Sequence, residues 1–188
     1  SDIKSKKLNL LHENSISDDP SRLIRCAKYA SRLGFNISNN SLEQSQKTLK
    51  YWPWKYSGTH QKIIFPPALG IRIRMELAEI YKHDNLKNVV SIIDKWGIIS
   101  ILNKDIQVSK RFLRGLNWIK KLNGSYILFL LKDVEDLDKA CQRFLINKSE
   151  KKILEDYLNT KKILTTNQDK YIHFSPSSWT EFIEGRSL

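Results

Sequence analysis

The most specific chemical pattern in this sequence is a carboxylate followed three residues later by a guanidinium, at Asp19 and Arg22. They stand at a predicted helix start, because Asp is a preferred helix cap and Pro20 fits the first helical position. A carboxylate accepts hydrogen bonds, whereas a guanidinium donates them in a planar fork. Cytosine and adenine each present an amino donor beside a ring-nitrogen acceptor, so this pair could read the edge of either base. An isolated pair of this kind is more often a capped helix with a solvated basic face.

A second group of side chains shares one face of the helix predicted over residues 105–122. Its spacings of 3, 4 and 3 place four residues together: Arg111, Arg114, Trp118 and Lys121. Such a face could follow an RNA backbone by charge, with the tryptophan stacked on a base or ribose. A partly buried tryptophan between solvated charges is an equally open interpretation. The loop with Trp52 and Trp54 could also stack on nucleotides, although such loops more often act as hydrophobic anchors.

The charge of the chain is strongly positive and unevenly placed. Among 188 residues, 32 Lys and Arg side chains outnumber 20 Asp and Glu, which gives a formal net charge of +12. The surplus lies in residues 1–123, since basic and acidic side chains balance in residues 124–188. Localised positive charge attracts polyanions such as nucleic acid, although composition alone is equally compatible with solvated lysines.

Composition excludes several classes of protein. A hydrophobic content of 40% is enough for a packed core, which excludes wholesale disorder. The longest central apolar run, residues 126–131, is too short to cross a bilayer, and the start has no signal-peptide pattern, so we expect a cytoplasmic protein without a membrane partner. Cys26 and Cys141 form no CxxC pair, which fits a reducing compartment. We expect no metal site, because the histidines lack metal-ligand spacing: His12, His60, His83 and His173.

The elements that must position these side chains are predicted to be helices, in an all-α fold that forms an elongated multi-helix array. Apolar residues recur at helical spacing, and no alternating strand pattern is present. Asp84 is the predicted cap of the helix that follows it, and Arg72 and Glu76 are a predicted i, i+4 pair. The predicted helices cover residues 18–34, 39–50, a segment that opens at 66, 86–96, 105–122, 135–146 and 149–164, with irregular structure over 51–58 and the last twenty or so residues.

The stretch over residues 17–35 resembles the neck motif of class II tRNA nucleotidyltransferases and bacterial poly(A) polymerases. That motif has an acidic pair, then two other residues and an Arg, a further Arg three residues on, and a Leu-Gly-Phe ending. Lys28 stands where the family usually has Arg. Residues 72–77 are similar to the family's later neck motif, although Ile71 and Glu79 stand where the family often has Glu and Lys.

The resemblance, which covers about residues 8–81, implies roles for individual side chains. Asp19 and Arg22 are implied to act as the protein template for the incoming base. Arg25 and Lys28 are implied to contact the nucleotide, although a lysine cannot hold a phosphate in bidentate geometry. ATP and CTP are the implied substrates, and tRNA is the implied partner, bound by its acceptor and T-arm. The parent enzyme would add nucleotides to an RNA 3′ end, foremost the CCA end of tRNA.

The resemblance also implies a division between domains. Nucleotidyl transfer needs carboxylates that hold Mg²⁺ on the triphosphate, and this family carries them in an N-terminal head domain. Only 17 residues precede Asp18. We therefore expect a chain that lacks the head, has no catalytic residues of its own and is inactive alone. The implied regions are the end of the head or a linker, the neck with the base-reading motif, and the tRNA-binding body and tail: residues 1–16, 17–82 and 83–188.

One acidic pattern imitates the catalytic turn of the head. Gly124-Ser125 is followed by Asp136-Leu137-Asp138, but this comes after the neck motif, which is the wrong order for the family. The apolar spacing in 135–146 is helical, and residues i and i+2 on a helix point about 200° apart, so two such carboxylates could not share a metal. We predict the ordinary acidic start of a helix here.

Two other classes of function stay open on the sequence. One is a stand-alone helical RNA-binding module without catalysis. The other is a helical protein–protein interaction module whose basic faces bind an acidic partner. An upstream coding sequence with the catalytic carboxylates would favour the enzyme, and salt-dependent tRNA binding would exclude the protein-partner class.

Overall fold

The computed structural model describes residues 2–12, 14–50 and 67–166 of the chain. Regular structure in these ranges is almost entirely helical, so the predicted all-α array is confirmed. The helices, in chain order, are α1 (Asp2–Ser5), α2 (Ser15–Asp18), α3 (Ser21–Leu33), α4 (Asn39–Lys50), α5 (Pro67–His83), α6 (Leu86–Lys95), α7 (Lys110–Lys121), α8 (Tyr126–Leu131), α9 (Leu137–Phe144) and α10 (Lys148–Thr166), with a 3₁₀ turn at Ile99–Ile101. Two short strands are β1 (Lys7–Leu8) and β2 (Asn36–Ile37).

Helix α3 carries the predicted base-reading motif, and its C-terminal end follows from the sequence. Its start differs from the prediction, because Pro20 and not Asp19 is the cap residue and Ser21 is the first helical residue. Asp19 Oδ1 accepts a hydrogen bond from the backbone N–H of Ser21 at 3.1 Å, so the predicted acidic residue satisfies a free N–H of the first turn. At the other end Gly34 has a φ of 65°, the left-handed conformation that favours glycine. Leu23 and Ile24 are fully buried on the inner face. These constraints fix which way the polar residues of α3 face.

The core of the array lies where α3 packs against α5 and α6. The predicted apolar stripe of α5 is buried, which removes its surface from water and drives the packing: Leu69, Ile73, Leu77 and Ile80. One continuous hydrophobic core runs from Ile16 to Leu154. Residues on both sides of position 82, the predicted end of the neck region, contribute to this core.

Two further helix starts also differ from the prediction. Helix α6 is capped by Asn85, whose side chain accepts a backbone N–H one turn further on, and not by Asp84. The reason is that the carboxylate of Asp84 is taken by Arg32, at 2.6 and 2.8 Å. Helix α7 begins at Lys110, directly after its cap Ser109, and not at residue 105. The segment before Ser109 is non-helical.

The structure contains one small parallel β-ladder, which the prediction of an all-helical chain did not include. β1 pairs with β2, with Lys7 opposite Asn36 and Leu8 opposite Ile37. Each strand is two residues long, which is too short to show the alternation by which strands are recognised in a sequence. The ladder holds the N-terminal arm against the segment that follows α3.

Helix α5 approaches α9 closely at Gly70. A Cβ atom added to Gly70 would lie 1.6 Å from the carbonyl oxygen of Arg143, so a larger residue cannot be accommodated without moving a helix. Arg74 donates to the carbonyls of Phe144 and Leu145 at 3.0 and 2.9 Å, and thereby satisfies free acceptors at the C-terminal end of α9. The two contacts lock the first half of α5 onto α9.

Several sequence predictions lie outside the described residues. These are the aromatic loop with Trp52 and Trp54, the C-terminal segment, and two of the four histidines, His60 and His173. Within 2–12, 14–50 and 67–166, no helix is long and apolar enough to span a membrane.

Candidate nucleic-acid interface

The carboxylate of Asp19 lies at the junction of α2 and α3 and is oriented by two separate elements. Its Oδ1 accepts from the backbone N–H of Ser21 and from the Ser21 hydroxyl, at 3.1 and 2.5 Å. Its Oδ2 accepts from Arg72 Nη1 of α5, at 3.0 Å. Because each carboxylate oxygen can accept about two hydrogen bonds, Oδ2 retains acceptor capacity. The sequence did not predict this role of Arg72, since it depends on how α5 crosses α3.

Arg22 extends in a different direction from Asp19. Its Nη1 donates to the backbone carbonyl of Ser15 in α2, at 3.1 Å. The link between the two residues is through the backbone, where the N–H of Arg22 donates to the carbonyl of Asp19 at 3.1 Å. A guanidinium has five N–H donors, so this contact leaves most of the fork available. The predicted template role of the pair stays a prediction.

Arg25 is half exposed and pairs with Glu76 of α5. Arg25 Nε donates to Glu76 Oε1 at 2.8 Å, and Nη2 lies 2.6 Å from the same oxygen. This hydrogen bond with the carboxylate raises the pKa of Arg25 above its ordinary value. The predicted i, i+4 pair of Arg72 with Glu76 is wrong, because both side chains turn to the α2–α3 segment instead.

Lys28 is the most buried cation of the motif, with 4% of its side chain exposed. Its Nζ donates to Glu76 Oε2 at 2.9 Å and to Glu79 Oε2 at 2.8 Å. Burial acts to lower the pKa of Lys28. The hydrogen bonds that Lys28 donates to Glu79 and Glu76 outweigh this effect and raise the pKa above its ordinary value. The ammonium is therefore held charged between two carboxylates inside the fold. The expected contact of Lys28 with a nucleotide is untested.

The charged face of α3 is thus largely matched by acids from α5 and its C-terminal end. Arg32 and Asp84 continue the row, and their hydrogen bond lowers the pKa of Asp84 below its ordinary value. Glu79 accepts a hydrogen bond from Lys28, and this bond lowers the pKa of Glu79. Both residues are among the three departures from the family pattern, with Ile71, and this was the available signal that positions 28 and 79 are partners.

The predicted face of α7 is exposed, and its cations differ from those of α3. Arg111 and Arg114 have no hydrogen bond or ion pair with any residue that the structure describes. Trp118 is 58% exposed, and Lys121 Nζ lies 5.0 Å from the centroid of its ring. The structure therefore brings all four predicted residues to one surface and leaves two guanidiniums there for an external anion.

The two regions meet at the C-terminal end of α5. Lys120 Nζ of α7 donates to the backbone carbonyl of Asp84 at 2.7 Å. The hydroxyl of Tyr81 donates to the carbonyls of Ile119 and Gly124, each at 3.1 Å. The end of α7 is therefore fixed to the helix whose acids hold the face of α3.

The acidic pattern that follows Gly124-Ser125 is part of a helix, as its spacing predicts. Asp136 caps α9, and its Oδ1 accepts from the backbone N–H of Lys139 at 3.0 Å. Asp138 pairs with Lys151 at 2.6 Å. In the described part of the chain, no three His, Cys, Asp or Glu residues are grouped so that they could hold a metal ion.

Comparison with known proteins finds similarity in fold. No family model and no curated protein matches the chain. A CCA-adding enzyme in complex with ATP is similar with a TM-score of 0.62 and 16% identity, over 100% of this chain and 48% of that chain. The Thermotoga maritima CCA-adding enzyme complexed with tRNA CCA gives a TM-score of 0.62 and 15% identity, over 100% and 49%. A tRNA nucleotidyltransferase complexed with a primer tRNA and an incoming ATP analog gives 0.54 and 15%, over 92% and 52%.

The chain therefore has the fold of part of these tRNA-processing enzymes. It spans about half the length of the solved structures that it matches. At 15–16% identity the likeness concerns the arrangement of the backbone. This likeness in fold agrees with the resemblance of residues 17–35 to the neck motif, which rests on the order of residue types in the sequence.

Proposed function

We propose that this chain is the RNA-binding and nucleotide-selecting part of an enzyme that adds CTP or ATP nucleotides to RNA 3′ ends, with the CCA end of tRNA as its substrate. The observation that carries the proposal is the fold likeness to CCA-adding enzymes over the whole chain, at a TM-score of 0.62. The motif around Asp19 supports it independently, because a carboxylate and a guanidinium stand at the start of one helix.

In this proposal the base is read by hydrogen bonds and not by a nucleic-acid template. Asp19 Oδ2 accepts from the exocyclic amino group, since Oδ1 is already bonded twice by Ser21. Arg22 donates to the neighbouring ring nitrogen, and its remaining N–H groups allow it to keep its contact with Ser15. A base without an amino donor in that place would leave the remaining acceptor site of Asp19 Oδ2, beside Arg72, without a donor, which is the physical basis of selection.

The residues that the structure describes do not fit the metal that the reaction needs. Mg²⁺ prefers several oxygen ligands, and the described residues offer no suitable group. The proposal therefore assigns Mg²⁺ and the chemical step to a head domain, and assigns base selection and RNA binding to this chain. Residues 17–82 serve as the neck and 83–188 as the body and tail.

The RNA would be held by the exposed face of α7. Arg111 and Arg114 are free of internal partners in the described ranges, so each can neutralise one phosphate. Trp118 and Lys121 lie on the same face and add a stacking surface and a further cation.

Filter binding of tRNA to the chain tests this proposal. We expect affinity to fall steeply between roughly 50 and 200 mM salt. Arg111→Ala with Arg114→Ala removes two phosphate contacts and reduces the slope of log K against log salt by about 1.4–1.8. Lys148→Ala with Lys152→Ala is the matched control, because it removes the same charge from an exposed part of α10. A weak response that does not change with salt would contradict RNA binding.

Nucleotide selection is tested in the protein joined to its head domain. Arg22→Ala should reduce incorporation and base selection while tRNA affinity stays unchanged. The double substitution on α7 should do the opposite. Equal loss of both properties in the Arg22 variant would contradict the template role.

A further inference from the structure

A groove with a volume of about 800 Å³ opens between α7, α8 and α10. Its walls combine aromatic and charged side chains from all three elements and the turn after α8. The six that matter here are Arg111, Trp118, Phe129, Asp133, Tyr157 and Lys161. Two of them belong to the α7 face already described, and the others extend that surface into a concave site.

Four aromatic side chains line the groove: Phe112, Trp118, Phe129 and Tyr157. Phe129 packs on Phe112 with ring centroids 5.2 Å apart, which gives the lining an apolar part. Trp118 is exposed, and Tyr157 is half buried. Aromatic rings that are accessible in this way stack on nucleobases of any sequence.

The charges of the groove are arranged around Asp133. Its carboxylate is bonded by Lys161 Nζ at 2.6 Å and by Lys132, and its single negative charge offsets one of these two positive charges. Arg111 lies close enough to Tyr157 for its charge to act on the phenol, whose pKa is raised by burial and by Asp133. Arg111 thus provides positive charge that no described carboxylate balances, next to an acceptor that an amino group could use.

We propose that this groove binds one unpaired nucleotide of an RNA, with the base between Trp118 and Tyr157 and a phosphate on Arg111. The inference rests on the proposed function in that the ligand is RNA. A base inside a duplex is stacked on both faces, so a groove lined by aromatic rings takes a base only when it is unstacked. An acidic peptide fits less well, because a carboxylate side chain has no flat ring to stack on Trp118 or Tyr157.

The experiment compares two labelled RNA hairpins by fluorescence anisotropy, one fully paired and one with a single bulged adenine in the stem. The chain should bind the bulged hairpin about tenfold more tightly, which lies within the range for stacking one base on an aromatic side chain. Trp118→Ala should remove this preference, so that the two hairpins bind with equal affinity, whereas Trp118→Phe should keep most of it. Trp118 is exposed, so neither variant endangers the fold.

Variants of α10 separate the groove from the α7 face alone. Tyr157→Ala removes one of the two stacking rings, and Lys161→Ala removes a partner of Asp133; each should reduce the preference for the bulged hairpin by a fewfold. Lys152→Ala is the control, because nine helical residues place it about 180° around α10 from Lys161. An unchanged preference in the α10 variants would overturn the groove as the site.

The remaining outcomes are distinguishable. Equal binding of the two hairpins with a normal salt response would overturn this inference and leave the proposed function standing. Failure to bind either hairpin or tRNA at any salt concentration would overturn the proposed function itself. Displacement of the bulged hairpin by an acidic peptide at equal concentration would show that the groove serves a different ligand and would overturn the inference.

Discussion

Replacing the buried ammonium of Lys28 tests whether the charged face of α3 supports the fold or serves the nucleotide. Lys28→Met keeps most of the aliphatic volume and removes both ion pairs, at 2.9 Å to Glu76 and 2.8 Å to Glu79. Glu76 is then left buried with one partner fewer. Because Glu79 is 47% exposed, water can solvate it, so the loss is concentrated at Glu76.

The magnitude follows from that geometry. Removal of one partner from a buried ion pair costs about 3–5 kcal/mol, and Arg25 still bonds Glu76, which places the expected loss near the lower limit, about 3 kcal/mol. For a chain of this size, such a loss lowers the melting temperature by about 6–12 °C. The assay is urea unfolding followed by circular dichroism. Lys152→Met, on the exposed side of α10, should change stability by less than about 0.5 kcal/mol.

A second substitution tests whether the buried carboxylate of Glu76 causes the loss of stability. Glu76→Gln in the Lys28→Met background should recover part of the lost stability, because a neutral amide tolerates the missing ammonium better than a carboxylate does. A cost below about 1 kcal/mol for Lys28→Met, with nucleotide binding lost, would refute the structural role and support direct contact with the substrate.

Three further predictions follow from local contacts. Arg32→Gln should reduce the pH dependence of stability at acid pH, measured as the unfolding midpoint against pH. Since Arg32 lowers the pKa of Asp84 below its ordinary 3.8, that stabilisation is present above pH 3.8 and is lost as pH falls below it; an unchanged limb would contradict the pair. Gly70→Ala should destabilise the chain by several kcal/mol in thermal unfolding, because its Cβ would meet the Arg143 carbonyl oxygen at 1.6 Å, and a variant as stable as the parent would exclude this close approach. Ser109→Ala removes the cap of α7 and should cost about 1 kcal/mol in urea unfolding; no loss would mean that the helix start is held by other contacts.

Much of the fold could be predicted from the sequence, because its signals are local. The left-handed Gly34 ends α3, and α4 occupies residues 39–50 as its pattern indicates. The cap of α6 was predicted wrongly, since Asp84 has a competing partner in Arg32, 52 residues away in the chain. The β1–β2 ladder gave no pattern because its strands are too short.

The placement of the candidate residues on helix faces was predictable, but their hydrogen-bond partners were not. Asp19 and Arg22 could be singled out because the spacing and the family resemblance fall within one helix start. The burial of Lys28 could not, because it depends on the crossing of α3 over α5, a tertiary feature with no local signal. A sequence shows which cations a helix face carries, but not which of them another helix neutralises.

The short ladder between β1 and β2 also provides a means to follow the N-terminal arm. The amide of Asn36 donates to the carbonyl of Lys6, and that of Ser38 to the carbonyl of Leu8, at 3.0 and 2.9 Å. These amide protons are shielded from solvent exchange only while the arm is docked. Their deuterium uptake would therefore report when the arm detaches. Because these amides lie outside α3, their exchange can be followed separately from that of the α3 amides.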